Sequence, residues 1–167
     1  MVASNGEAGE ILVEVASPGK ETASITLQAV SAEMPEGAYG VLRGMHYQKG
    51  ENSQAKLVRV IKGRVLDVAV DLRKSSPTFG KHVMVELSDT NRRQMFIPRG
   101  FAHGFLVLSE EAVFTYKCDN VYAPQSEASI LFNDPELGIE WPIAPEDIIT
   151  SEKDLKGCLL KDAVVFE

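Results

Sequence analysis

The chain has 167 residues, 44% hydrophobic and 25% charged, the make-up of a globular protein long enough to bury a core in a single domain over 1–167. A formal charge of −7 and a pI near 5.0 argue against a nucleic-acid groove, which needs clustered lysine and arginine to displace counterions. No apolar run is long enough for a membrane-spanning helix and the first residues lack the basic-then-apolar pattern of a signal peptide, so the expectation is a cytoplasmic protein without a membrane partner.

Residues 1–42 hold six glutamates against a single lysine, Lys20, so most of the negative charge lies in the first quarter of the chain. Within that quarter, 11–15 and 24–28 read as an antiparallel pair at a sheet edge, joined by a turn at Ser17-Pro18-Gly19. From Val41 the strand signal becomes dense. Residues 56–61 and 64–72 flank Lys62-Gly63, which reads as a hairpin turn. In the second of these, Leu66, Val68, Val70 and Leu72 alternate with Asp67, Ala69 and Asp71, the pattern of a strand with one greasy side. Further strands are predicted at 82–87, 94–97, 103–108, 113–118 and 129–132, and short helical turns from Pro145 and Ser151. Ser151 and Asp154 stand in the spacing of a capping box, with Asp where Glu or Gln is usual. Many short strands broken at regular intervals predict an all-β sandwich or barrel.

The chemistry-bearing residues cluster in a few places. Pro98-Arg99-Gly100-Phe101-Ala102-His103 fits the P-x-G-x-x-H signature of cupin jelly rolls. Metal-binding cupins place H-x-H earlier in the chain, whereas here His46 is followed at that spacing by Gln48, and the chain has three histidines in all. That is too few imidazoles for an ordinary metal site, so no metal is expected. The two cysteines, Cys118 and Cys158, fit neither a metal spacing nor a disulfide framework and are expected to be reduced thiols. A histidine without a metal is well suited to act as a general base, because imidazole titrates near working pH, and it then needs a carboxylate to orient it. Asp67, Asp71 and Asp154 all qualify by spacing. Lys56 could steady an enolate oxygen, and Tyr116 and Tyr122 could donate a proton or stack on a base.

The runs G-V-L-R-G-M-H-Y-Q at 40–48, K-L-V-R-V at 56–60, G-R-V-L-D-V-A-V-D-L-R at 63–73, S-P-T-F-G at 76–80, I-P-R-G-F-A-H-G-F at 97–105, Y-K-C-D-N-V-Y-A-P at 116–124 and S-E-K-D at 151–154 together resemble the dTDP-4-dehydrorhamnose 3,5-epimerase family, with a family-like core over 40–161. The resemblance implies a cupin-type jelly roll that works as a homodimer on a dTDP-sugar without any cofactor. It implies His46 as the base, Asp154 as its partner, Lys56 at the enolate and Tyr116 as the opposing acid. It further implies that Arg43, Gln48, His103, Glu127 and Lys153 contact the nucleotide-sugar and that Tyr122 stacks on thymine. The pattern breaks before Tyr39, where the family carries an Asp/Glu-Arg-Gly segment and a Gln-x-Asn pair. No arginine precedes Arg43, and by spacing Ser31 and Glu33 take the Gln and Asn positions, which predicts an extra carboxylate near the diphosphate. Inversion at C3 alone, or binding of a nucleotide-sugar without turnover, are the alternatives this leaves.

Overall fold

A computed structural model describes residues 9–15 and 23–167. Among the described residues, ten strands form two five-stranded antiparallel sheets, in the orders β1-β2-β9-β4-β7 and β10-β3-β8-β5-β6. The strands are β1 (Gly9–Val15), β2 (Ala23–Met34), β3 (Leu42–Gln48), β4 (Lys56–Lys62) and β5 (Arg64–Asp71), followed by β6 (His82–Ser88), β7 (Gln94–Ile97), β8 (Phe101–Val107), β9 (Ala112–Cys118) and β10 (Glu127–Ser129). The all-β sandwich with short helical turns near the C-terminus is as the sequence predicts. The early pair is antiparallel and at a sheet edge, with β2 running six residues beyond the expected 28 to reach Met34. The Ser17-Pro18-Gly19 turn lies outside the described residues.

Two readings are corrected by the pairing. Lys62-Gly63 is no hairpin: β4 pairs with β7 and β9, whereas β5 pairs with β6 and β8 in the other sheet, so this turn is a corner between sheets. Gly63 sits at φ +79°, and a side chain there would run into the Glu111 carbonyl, so the corner demands glycine. Nor does β5 have one wet side. From Asp67 to Asp71 it is buried on both faces, because Val65 and Ala69 pack into the inter-sheet core while Val68 and Val70 pack outward under Ile130, Leu137 and Leu160. A strand covered by a returning chain on its outer face loses the alternation of wet and dry that a half-buried strand displays.

The inter-sheet core is built from Met34, Val58, Val60, Leu87, Ile97, Val107 and Phe114. The expected strand at 129–132 is shifted. β10 covers Glu127–Ser129, and Ile130 instead bridges Cys158. That bridge pins the C-terminal segment against the outer face of the second sheet. The helical turns near the end are single 3-10 turns at Pro145–Asp147, Asp154–Lys156 and Leu160–Asp162. The middle one delivers Asp154 to the site.

Candidate active site

Between the sheets lies a cavity of about 1000 Å³, and all of Arg43, His46, Gln48, Lys56, His103, Tyr116, Tyr122, Glu127, Lys153 and Asp154 line it. Its construction begins on β3. The register between β3 and β8 shifts between Arg43 and His46, so that these two residues, an odd number apart, both reach the cavity. Gly44 makes this possible. At φ +132°, with the backbone of His103 and Gly104 where a side chain would go, it lets β3 approach β8 as no other residue could.

His46 Nε2 lies 2.7 Å from Asp154 Oδ1, which also accepts the Gly44 N–H at 3.0 Å. The other oxygen, Oδ2, accepts the Ser151 hydroxyl at 2.6 Å and the Ser151 N–H at 3.0 Å, while the Asp154 N–H returns a bond to Ser151 Oγ at 3.3 Å. This is the reciprocal geometry of the predicted capping box, closed by the shorter Asp. Burial pushes the Asp154 carboxyl up, but the hydrogen bonds from His46, Ser151 and Gly44 outweigh it and hold the group well below the usual carboxylate range. The carboxylate is therefore a permanent acceptor for an imidazole N–H.

Of the three aspartates left open by spacing, Asp154 alone meets His46. Asp67 is fully buried and lies 2.8 Å from His103 Nε2, and its second oxygen has no partner among the described residues. Asp71 holds the 73–78 loop instead, accepting from Arg73 Nε at 2.8 Å, Ser76 Oγ at 2.7 Å and Thr78 Oγ1 at 2.7 Å. No pattern in the sequence separates these roles, since all three depend on which strand or loop faces which histidine.

The opposite wall comes from β4 and β9. Lys56 is the register partner of Cys118, and Val58 that of Tyr116. Burial lowers the Lys56 pKa, with Cys118, Asp67 and Glu127 acting in the opposite sense. Burial pushes the Tyr116 phenol up to about 12, so it carries its proton at neutral pH.

At the rim, Glu127 accepts from Lys153 Nζ at 2.6 and 2.7 Å and from the Tyr122 hydroxyl at 2.9 Å. Burial works against the Glu127 charge, and those bonds overcome it, so its carboxyl sits below the ordinary value. Tyr122 as a whole residue is 62% exposed while lining the cavity, which puts it at the mouth. Gln48 reaches the wall with its amide already engaged, donating to the Asn52 and Val121 carbonyls and accepting the Ala123 N–H. Arg43 Nη1 donates to the Leu42 carbonyl at 2.7 Å and lies 3.9 Å from Asp154.

The expected extra carboxylate is not in the cavity. β2 offers Gln28, Val30 and Ala32 to it, and Glu33 stands exposed on the other face. Strand alternation explains the correction, because Ala32 turned into the core turns Glu33 out. The capping spacing pairs Ser151 with Asp154; what it does not reveal is that those bonds support a carboxylate facing His46. Among the described residues, no three His, Cys, Asp or Glu side chains are grouped so as to hold a metal ion, and no helix is long and apolar enough to cross a membrane.

The family model for dTDP-4-dehydrorhamnose 3,5-epimerase matches residues 17–162, beginning upstream of the motifs. The dTDP-4-dehydrorhamnose 3,5-epimerase of Salmonella typhimurium is 57% identical over 129 residues, 76% of this chain and 69% of that protein. Among solved structures, the dTDP-6-deoxy-D-glucose-3,5-epimerase of Legionella pneumophila in complex with dTDP-4-keto-L-rhamnose is 50% identical, with a TM-score of 0.76 over 82% of this chain and 70% of that one. The enzyme from Elizabethkingia anophelis is 42% identical, with a TM-score of 0.75 over 90% of this chain and 97% of its own. On this evidence the chain belongs to the dTDP-4-dehydrorhamnose 3,5-epimerase family of cupin-fold sugar-nucleotide epimerases.

Proposed function

We propose that the protein inverts C3 and C5 of dTDP-4-dehydro-6-deoxy-glucose to give dTDP-4-dehydro-L-rhamnose, using its own side chains and no cofactor. The C4 ketone of such a sugar acidifies the hydrogens on both neighbouring carbons. His46 removes each in turn, Asp154 fixes its tautomer and stabilises the imidazolium, and Lys56 stabilises the enolate oxygen. Tyr116 then returns a proton from the opposite side, which inverts the carbon. Arg43, Gln48, His103, Glu127 and Lys153 bind the nucleotide-sugar, and Tyr122 stacks on thymine.

The observation that carries this reading is the pairing across one cavity of a carboxylate-backed histidine, 2.7 Å from Asp154, with a buried phenol that keeps its proton. Opposed acid and base are what an inversion requires, whereas a binding protein would need neither. A cytoplasmic homodimer completes the proposal. The test is to incubate the purified protein with dTDP-4-dehydro-6-deoxy-glucose and identify the product by proton NMR. Inversion at both carbons is expected. Inversion at C3 alone would narrow the assignment, and unchanged substrate would overturn it.

A further inference from the structure

Epimerisation at two carbons uses one base twice, so the base has to lose its first proton before it can take a second. His46 shows how. Its Nε2 faces Asp154, which as a carboxylate can only accept, so the neutral ring carries its hydrogen on Nε2 and its lone pair on Nδ1. That Nδ1 is buried and, among the described residues, has no hydrogen-bond partner. The acid nearest to it is Glu127, whose Oε1 lies 3.7 Å away.

Glu127 is on β10, the strand beside β3, with Ser129 opposite His46 in the register. Its Oε2 accepts from the Tyr122 hydroxyl, and the Lys153 ammonium bridges both of its oxygens, the Oε1 that faces His46 included; Tyr122 and Lys153 both stand at the exposed mouth of the cavity. Among the described residues, no other side chain is hydrogen-bonded to Nδ1. Asp154 and Ser151 lie on the Nε2 side, Arg43 and Lys153 are cations, and Lys56 and Tyr116 come from the facing sheet. His103, the register partner on β8, is bonded to Asp67. A proton arriving on Nδ1 creates an N–H that needs an acceptor, and a shift of about 0.8 Å would bring Glu127 within hydrogen-bond reach.

We infer that Glu127 is the proton outlet of His46: it accepts the proton that Nδ1 takes from the sugar and releases it to water beside Tyr122, resetting the base between the two carbons. This rests on the epimerase reading above. The balance is complete. A C–H bond breaks and leaves its electron pair in the enolate, an N–H bond forms and passes its proton to Glu127, and water takes that proton. Tyr116 protonates the carbon and recovers a proton from water, so no net proton is gained or lost. The bonds from Lys153 and Tyr122 that favour the ionised form of Glu127 suit a carrier that must let go quickly.

The experiment compares the wild type with Glu127→Gln and Glu127→Asp on dTDP-4-dehydro-6-deoxy-glucose in D2O. In Glu127→Gln, kcat is expected to fall about 10²-fold, the scale of one acid–base group, with a smaller change in KM. Sugar inverted at only one carbon accumulates, formate restores turnover in proportion to its concentration, and Glu127→Asp recovers part of the rate. A rise in KM with kcat, the one-carbon intermediate and the buffer response all unchanged would overturn the inference and leave Glu127 a binding residue. Absence of deuterium exchange in the wild type would instead overturn the epimerase reading itself.

Discussion

The second sheet carries two histidine–aspartate pairs side by side, His46–Asp154 and His103–Asp67, with the two rings opposite each other in the β3–β8 register. They contain the same residue types at nearly the same distance, yet they are built differently. Asp154 arrives on a C-terminal turn, and both its oxygens are bonded, to Gly44, Ser151 and the ring. Asp67 is part of a central strand and leaves one oxygen in the interior without a partner among the described residues. His46 also keeps more contact with the cavity, its side chain being 21% exposed against 8% for His103. A base must reach its substrate and find its counter-charge already in place, while a binding group needs only to be held still. By that criterion the first pair suits proton transfer and the second suits recognition.

This contrast can be broken at several points. The largest effect is expected at the first pair: His46→Ala should remove epimerisation, and Asp154→Asn, which leaves the shape but loses the charge behind the ring, should lower kcat by about 10³–10⁴-fold. Across the cavity, Lys56→Ala should cost about 10²–10³-fold in kcat, as loss of one oxyanion donor does, and steady-state kinetics measure both. At the second pair the expected change is in affinity. His103→Ala should raise KM by about tenfold, the worth of one hydrogen bond to a charged group, with kcat less affected. If His103→Ala instead lost kcat as completely as His46→Ala, the two pairs would not divide the work in this way.

The smallest effect is on stability. The folded Asp154 carboxyl is held below its ordinary value of 3.8, so its bonds stabilise the fold above that pH and the contribution is lost as pH falls through the folded value. Asp154→Asn should therefore show a shallower fall in Tm between neutral pH and pH 3 than the wild type, by thermal melting.

The same contrast marks what a linear sequence can carry. Strand positions were legible because turn residues punctuate them, and the identity of His46, Lys56 and Tyr116 as cavity residues followed from runs of motif that also fix their order. Partner choice was not legible. Whether Asp67, Asp71 or Asp154 backs His46 depends on the 151–154 turn docking under β3, a contact between residues more than a hundred apart in sequence. The sheet of each strand was equally hidden, since Lys62-Gly63 looks the same whether the chain doubles back or turns a corner. β2 was misjudged for a related reason: matching the family pattern by spacing put Ser31 and Glu33 at its Gln and Asn positions, but Ala32 is the side chain between them that the strand turns inward.

The central claim, that His46 backed by Asp154 takes the sugar protons, is tested most directly by deuterium exchange from D2O into dTDP-4-dehydro-6-deoxy-glucose, followed by NMR at C3 and C5 for the wild type and His46→Ala. The account predicts label at both carbons with the wild type and none with the variant. Label entering at either carbon with His46→Ala at a rate near that of the wild type would contradict it.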